Sequence, residues 1–347
     1  MLAVARSRPR AALAALAAVT ALALTGCSSA EQETGANPAT AAADAFPVTI
    51  ASKLGDAVIS EAPERVVTWG WSSQDAALAL GVVPVAMPRY TYGGNADGVL
   101  PWVADKIKEL GGTTPALLTE GTDVPFEEIV EAEPDVILAP YSGIVQEDFD
   151  KLSKIAPVVA YPDEPWAMPW QDQIEVIGKA LGKSDEAAEL LEKTTSSVKA
   201  LADEHPVVKG RNFFYAAANE ADLLNVYRDK DPRVGMLVDL GMTLSPSVAA
   251  LDAKPEEGNF FYQLSYENVE KIEADVLVMY FADQKAVDKF VADPVIAAMP
   301  AIKEGRFAPI VGESFVMATS APTVLSIPWM LDQYVPQLAE AAEKAAE

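Results

Sequence analysis

Apolar and polar residues alternate along the chain with two different periods. Short runs of β-branched, aliphatic and aromatic residues, such as 65–69 and 212–216, predict buried strands. Segments with apolar residues three and four positions apart, such as 75–84, predict helices that end at a glycine. Because strands and helices alternate throughout, we expect an α/β fold with mainly parallel sheets.

This strand and helix pattern occurs twice. Segment 126–138 reads FEEIVEAEPDVIL, and segment 266–278, which begins 140 residues later, reads YENVEKIEADVLV. Each starts with an aromatic residue and leads from a helix into a buried strand. Gly81 and Gly241 end predicted helices at matching places in the two halves. The repeat predicts two Rossmann-like lobes.

The segment between the halves favours helix almost throughout. Residues 171–204 have one apolar side, and Pro169 and Pro206 flank them. We therefore predict one long connecting helix, kinked or straight, within a connector of residues 170–206. The first lobe then spans residues 47–169 and the second lobe spans residues 207–347.

The first 26 residues have the pattern of a secretory signal. Residues 1–10 contain three arginines and no acidic residue, and residues 11–24 form an apolar run too short to span a bilayer. The LTGC sequence that ends at Cys27 resembles a bacterial lipoprotein signal. We expect residues 1–26 to be cleaved after export and Cys27 to be acylated, with palmitate among the expected modifications. The sequence leaves the general and twin-arginine export routes open, and the lack of paired arginines favours the general one. A plain signal peptide with a coincidental cysteine is the alternative.

The polar residues after Cys27 predict a flexible tether over residues 27–46, which would hold the protein on the extracellular face of the cell membrane. Cys27 is the only cysteine, and the formal net charge is −25. Loss of the three arginines in residues 1–26 changes this charge to −28. Such a negative charge argues against nucleic acid and anionic lipid headgroups as partners.

Sequence motifs for catalysis are missing. His205 is the only histidine, and its place at the end of a predicted helix favours a structural role. A histidine-assisted serine or cysteine nucleophile is therefore improbable, and no phosphate-binding loop or zinc-protease motif occurs. We predict that the protein is not an enzyme and holds no metal of its own.

Aromatic and arginine residues follow many of the predicted strands. Ligands of open α/β sheets bind beyond the carboxyl ends of the strands, so these residues are candidates for ligand binding. Large aromatic rings with a few arginines suit a bulky, partly aromatic or amide-rich ligand, although about half of such residues would be core residues. The candidates are Trp71, Arg89, Tyr90, Tyr92, Tyr141, Trp166, Trp170, Tyr215, Arg228, Phe261, Tyr262 and Phe315.

Four longer segments resemble one family. They are PERVVTWGWSSQDAALALGVVPVAM at 63–87, FEEIVEAEPDVILAPYSG at 126–143, KLSKIAPVVAYP at 151–162 and EGRFAPIVGESF at 304–315. Together with the long helix they are similar to the substrate-binding lipoproteins of ABC importers for ferric siderophores, the iron/cobalamin class. The resemblance assigns residues 64–340 to the binding domain. It implies a bilobed, monomeric receptor with a shallow cleft that changes shape only modestly on binding.

The resemblance also implies docking on a permease through one acidic side chain of each lobe. The matching position in the first lobe is Asp75, and Asp229 or Asp231 are the candidates in the second lobe. The alternative is that each of these acids merely complements the dipole of a helix.

Relatives that bind hydroxamates place an arginine and a tyrosine after the second strand, where this chain has Arg89 with Tyr90 or Tyr92. Two later aromatic residues of those relatives fall on Phe261 and near Phe315. The net charge favours neutral or cationic ferric hydroxamates over trianionic ferric catecholates. Iron is then expected only as part of the bound siderophore, without a further cofactor.

Other readings remain open from the sequence. A haem receptor with a tyrosine ligand or a cobalamin receptor of the same class is one alternative, and an envelope lipoprotein that transports nothing is another. Zinc and manganese receptors of the class use several histidines, and this chain has one.

Overall fold

The computed structural model describes residues 46–121, 123–256 and 258–346. The predicted signal peptide, the lipid site at Cys27 and the tether up to residue 45 lie outside these residues. In the described part of the chain, none of the helices has the length and apolarity that a bilayer crossing requires.

The first lobe is built on a five-stranded sheet in which every pair of strands is parallel, in the order β5-β4-β3-β6-β7. Its central strands are buried at every residue because helices cover both faces. A short antiparallel hairpin of β1 and β2 precedes the sheet. The elements are β1 (Val48–Ile50), β2 (Ala57–Ile59), β3 (Val66–Thr68), α1 (Ser73–Ala79), β4 (Ala86–Pro88), α2 (Pro101–Glu109), β5 (Ala116–Leu118), α3 (Phe126–Glu131), β6 (Val136–Ala139), α4 (Gln146–Leu152) and β7 (Val158–Ala160).

Two helices connect the lobes, α5 (Trp170–Ala180) and α6 (Ser184–Glu204). The predicted long connecting helix is confirmed as α6, and α5 precedes it after a break at Gly182. Gly182 adopts a φ of 68°, and the ring of Phe46 lies where a Cβ at Gly182 would be. Because of this break, α5 packs against α1 of the first lobe, and α6 packs against the C-terminal helix of the second lobe.

The second lobe has a mixed sheet in the order β11-β9-β8-β12-β13, with β10 also paired to β8. Strands β8, β10, β12 and β13 pair in parallel, whereas β9 and β11 are antiparallel. The elements are β8 (Asn212–Glu220), β9 (Leu223–Tyr227), α7 (Pro232–Asp239), β10 (Thr243–Leu244), α8 (Pro246–Leu251), β11 (Phe261–Ser265), β12 (Val276–Phe281), α9 (Gln284–Val291), α10 (Pro294–Ala297), α11 (Pro300–Lys303), β13 (Phe307–Val311), α12 (Glu313–Ser320) and α13 (Ser326–Lys344).

The two lobes repeat one another as the sequence predicted. Helix α3 leads into central strand β6, and a 3₁₀ helix over Tyr266–Lys271 leads into central strand β12. Gly81 and Gly241 end α1 and α7 with φ values of 80° and 86°. In both caps the next residue donates to a carbonyl five positions back, which satisfies the last carbonyls of the helix. The two-lobed α/β fold is confirmed.

The lobes share one apolar core and are also joined by hydrogen bonds. Ser314 of α12 donates to the carbonyl oxygen of Gly93 in the first lobe at 2.7 Å. The carboxylate of Asp239 on α7 accepts hydrogen bonds from Trp170 at 3.1 Å and Gln171 at 2.8 Å, both on α5. The contacts place the strand ends of the two sheets opposite each other.

Candidate ligand-binding cleft

A cleft of two adjoining cavities lies between the lobes, at the carboxyl ends of β3 and β4 on one side and β8 and β12 on the other. The cavity volumes are about 540 and 630 Å³. Each lies within the ordinary range for small-molecule sites. Four residues line both cavities and mark where the two meet: Trp71, Tyr90, Glu120 and Arg233.

Three aromatic rings form a corner of the larger cavity. The ring of Trp166 meets Trp71 at 5.8 Å and Tyr141 at 5.5 Å, in both cases edge to face. Trp166 has a φ of 60°, and its indole lies against Gly143, where a Cβ would stand 2.5 Å from the Trp166 Nε1 atom. Any larger residue at position 143 would clash with the Trp166 ring, so the site requires glycine there. The indole can then pack on the Gly143 backbone and line the cavity.

The smaller cavity has a polar wall on the second lobe. The hydroxyl groups of Tyr280 and Tyr227 are hydrogen-bonded at 2.8 Å, and the Asn219 amide donates to the Tyr280 hydroxyl at 3.1 Å. Tyr280 and Asn219 line the cavity together with Met317 of α12. This wall therefore combines hydrogen-bonding groups with an apolar side chain.

Arg233 is the charged group at the centre of the cleft. It is only 8% exposed, and its guanidinium bonds to the Asp231 carboxylate at 2.9 Å and lies 4.4 Å from the ring centre of Tyr227. Asp231 caps helix α7 by accepting from the Arg233 backbone N–H at 2.8 Å. The Nε atom of Arg233 is buried without a hydrogen-bond partner. Arg233 lines both cavities, so its guanidinium group is a candidate ligand contact.

The phenols of the cleft are held in the protonated form. Burial raises the pKa of Tyr90, and the charge of Asp75 raises it further. Burial is also the main cause of the raised pKa of Tyr141 and of the partly exposed Tyr92. Tyr92 and Tyr141 can therefore donate hydrogen bonds to ligand oxygen atoms, whereas the Tyr90 hydroxyl already donates to the Gly70 carbonyl at 3.4 Å.

Six of the twelve candidates predicted for ligand binding line the cavities, and all six belong to the first lobe or its junction with the connector. They are Trp71, Arg89, Tyr90, Tyr92, Tyr141 and Trp166. Arg89 is exposed and donates from Nη1 to the Asp97 carbonyl at 2.9 Å. The positions fit the rule that ligands gather at the carboxyl ends of parallel strands.

Three other candidates are core residues, so their assignment to the cleft is wrong. Tyr215 is fully buried in the middle of β8, which runs four residues beyond the predicted strand end. Trp170 is 4% exposed and donates to Asp239. Phe315 is also 4% exposed and packs edge to face on Tyr334.

The remaining three candidates lie in the second lobe outside the lining of both cavities. Arg228 pairs with Asp252 at 2.8 Å. The Tyr262 hydroxyl donates to the Val248 carbonyl, and the ring of Phe261 packs near that of Tyr227. These contacts tie together β9, β11 and α8.

Two of the three predicted docking acids are buried, which contradicts a role at a protein surface. Asp75 and Asp231 are each 1% exposed. The Asp75 carboxylate accepts hydrogen bonds from Trp102 at 2.6 Å and Thr323 at 2.7 Å. Asp229 is exposed, and its docking role stays a prediction.

Sequence reasoning missed Arg233 and Glu120 as lining residues. Arg233 follows Asp231 and Pro232, an arrangement typical of a helix start, but its burial depends on contacts between distant segments. Glu120 lies two residues beyond the end of β5, so the strand-end rule could have found it. Across the described residues, no group of three or more His, Cys, Asp or Glu side chains could hold a metal ion.

Solved structures share this fold. PiaA of Streptococcus pneumoniae TIGR4 in complex with ferrichrome is 37% identical with a TM-score of 0.78, over 86% of this chain and 99% of that chain. A periplasmic solute binding protein from Mycobacterium smegmatis MC2 155 is 29% identical with a TM-score of 0.72, over 85% and 98% of the two chains.

Curated relatives come from Escherichia coli. The ferric enterobactin-binding periplasmic protein FepB of E. coli O6:H1, strain CFT073, is 29% identical over 55% of this chain, and the match spans 61% of that relative's length. The Fe(3+) dicitrate-binding periplasmic protein FecB of strain K12 is 25% identical over 77% of this chain and 83% of the relative. Residues 66–310 match the family profile described as periplasmic binding protein, and the chain therefore belongs to the periplasmic binding protein family.

Proposed function

We propose that this protein captures a ferric siderophore, with hydroxamate complexes preferred, and delivers it to the permease of an ABC importer. The cleft between the lobes would hold the ligand, and no catalytic step is involved. The structural similarity to a protein in complex with ferrichrome supports this proposal, since that relative is matched over 99% of its length.

The cleft itself carries the proposal through the shape and chemistry of its walls. The aromatic corner of Trp71, Tyr141 and Trp166 offers broad apolar contact to a bulky ligand. The protonated phenols of Tyr92 and Tyr141 and the guanidinium group of Arg233 offer donors to chelating oxygen atoms. A ferric trihydroxamate is neutral and rich in oxygen acceptors, and therefore suits this combination.

The charge of the cleft favours a hydroxamate over a catecholate. Asp231 compensates the charge of Arg233, and Glu120 adds a carboxylate where the two cavities meet. A trianionic ferric catecholate would approach a protein of net charge −25 and find one uncompensated arginine, Arg89, at the rim. A neutral complex avoids this repulsion.

Haem binding through a tyrosine is less favourable in this cleft. An iron-bound tyrosine is a phenolate, and burial raises the pKa of Tyr90 and Tyr141. His205 lies at the end of α6 and lines neither cavity. Haem would therefore need to overcome the cost of ionising a buried phenol.

The proposal includes an anchor and a partner. Acylation of Cys27 would hold the protein on the extracellular face of the cell membrane, and two or more acyl chains hold more firmly than one. We infer a monomer with no cofactor beyond the iron of its ligand. Asp229, on the surface of the second lobe, remains the candidate for docking on a permease.

Intrinsic tryptophan fluorescence tests the proposed ligand class. The chain from residue 28 onward would be titrated with ferrichrome, a ferric catecholate, haemin and cobalamin, with iron-free siderophores and inner-filter corrections as controls. We expect saturable quenching by ferrichrome. Trp166→Phe should reduce the quenching, whereas Trp329→Phe should not, because Trp329 is 40% exposed and lines neither cavity. Saturation by haemin or cobalamin alone would reject the siderophore assignment, and no saturation by any ligand would reject the receptor function.

A further inference from the structure

Glu120 is the acidic side chain that lines both cavities of the cleft. Its Oε2 atom accepts hydrogen bonds from the backbone N–H of Thr91, at 2.9 Å, and from the Thr91 hydroxyl. Both donors are neutral and both use the same oxygen atom. Among the residues that the structure describes, no basic nitrogen lies within 4.0 Å of this carboxylate.

The other charged groups of the cleft are compensated or lie at its edge. Arg233 is paired with Asp231. Asp148 lines one cavity only and shares Lys151, at 3.9 Å, with Glu147. Arg89 has no carboxylate partner in the described residues, but it lines one cavity only and bonds to a backbone carbonyl, whereas Glu120, which is exposed like Arg89, lines both cavities. The charge left uncompensated where the cavities meet is therefore that of Glu120.

The field of Glu120 reaches the neighbouring wall of the cleft. Burial and the charge of Asp75 are the larger causes of the raised pKa of Tyr90, and the charge of Glu120 contributes to it as well. A carboxylate that disfavours a second negative charge beside it must equally favour a positive one.

We propose that Glu120 is the counter-ion for a cationic group of the ligand, so that the cleft prefers a ferric hydroxamate with a pendant ammonium group to a neutral one. This inference rests on the proposed function and adds the charge of the ligand to it. An ammonium group has three donors and would reach the carboxylate without displacing the bonds from Thr91. Charge-assisted hydrogen bonds of this kind are about twice as strong as neutral ones.

Two ligands that differ only in this charge test the inference. Ferrioxamine B is a ferric trihydroxamate with a free ammonium group, and its N-acetylated derivative has the same chelate without the charge. Dissociation constants for both, and for ferrichrome, would be measured with the unchanged protein, Glu120→Gln and Glu131→Gln. Glutamine at position 120 keeps an oxygen acceptor for Thr91. Glu131→Gln removes the same charge from an exposed position at the end of α3, outside both cavities.

Because Glu120 is exposed, its ion pair with an ammonium group is worth at most about 1 kcal/mol, and we expect the unchanged protein to bind ferrioxamine B about two- to fivefold more tightly than the acetylated form. Glu120→Gln should abolish most of this preference and change the affinities for ferrichrome and for the acetylated ferrioxamine by the same small factor, while Glu131→Gln should preserve the preference. Equal affinity for the two ferrioxamines, or an equal loss for both in Glu120→Gln, overturns the role of Glu120. Binding of ferrichrome without either ferrioxamine overturns the charge preference but leaves the siderophore function standing. If none of the three ligands binds, the hydroxamate function fails as well.

Discussion

The hydroxyl group of Thr323 donates to the carboxylate of Asp75 at 2.7 Å, and this bond joins the first helix of the first lobe to the chain that precedes α13. Asp75 also accepts from Trp102 and from Gln74, at 2.6 and 2.8 Å. Despite these hydrogen bonds, burial raises the pKa of Asp75 from 3.8 to about 6. A carboxyl group that titrates near neutral pH therefore lies inside the contact between the lobes.

The first prediction concerns the pH dependence of stability. Because the folded protein binds a proton at Asp75 more tightly than the unfolded chain does, stability should rise as the pH falls from 7 towards 4. The contribution is fully present below pH 3.8 and lost as the pH rises through about 6. Its size is at most about 3 kcal/mol. Urea unfolding between pH 4 and pH 8 measures it.

Asp75→Asn is the matched variant for this prediction. Asparagine keeps one oxygen atom for Trp102 and Thr323. Its amide group would meet the Gln74 Nε2 donor, so the Gln74 amide must rotate to bring its Oε1 atom, which is buried without a partner, to this position. The variant should be more stable than the unchanged protein at pH 7.5, with a smaller difference near pH 4. Parallel curves for the two proteins would show that Asp75 does not titrate in this range.

A second prediction concerns the buried ion pair of Asp231 and Arg233. Asp231→Asn keeps the oxygen atom that caps α7 but leaves Arg233 as a buried charge without a counter-ion. The free energy of unfolding should fall by about 3 kcal/mol. Asp229→Asn is the control because Asp229 is exposed, and it should change stability by less than about 0.5 kcal/mol. Equal effects of the two substitutions in urea unfolding would contradict a stabilising ion pair.

Much of the fold could be predicted because its signals are local. The repeated helix and strand segments and the two glycine caps depend on residues within about one turn of each other. The break between α5 and α6 could not be predicted in this way. Gly182 is visible in the sequence, but the ring of Phe46 that packs on it comes from more than a hundred positions away.

The site was predicted well only where its strands are parallel. In the first lobe every strand carboxyl end reaches the same edge, so Trp71, Tyr90 and Tyr141 came together in the cleft. In the second lobe β9 and β11 run antiparallel, and residues at their ends, such as Arg228 and Phe261, lie elsewhere. The pairing direction of a strand depends on distant partners and does not appear in its own residues.

A third prediction separates the tryptophans of the core from those of the cleft. Trp170→Phe removes one of the two hydrogen bonds to Asp239 and should lower the free energy of unfolding by about 1 kcal/mol without changing ligand affinity. Trp71→Ala should weaken ligand binding by about tenfold, because Trp71 lines both cavities. Calorimetric titration with ferrichrome and urea unfolding measure the two effects. A loss of affinity in Trp170→Phe would return Trp170 to the candidate binding residues.

The last prediction concerns the glycine beneath Trp166. A Cβ at position 143 would lie 2.5 Å from the Trp166 Nε1 atom, so Gly143→Ala must displace the indole from the aromatic corner. Gly235→Ala is the control: nothing lies within 4 Å of its added Cβ, and alanine within α7 should add about 0.5 to 1 kcal/mol of stability. We expect Gly143→Ala to weaken ferrichrome binding by about tenfold and to shift the tryptophan emission of the free protein, with Gly235→Ala binding normally. If Gly143→Ala shifts the emission but binds ferrichrome with unchanged affinity, then Trp166 lies in the cleft without contributing to recognition.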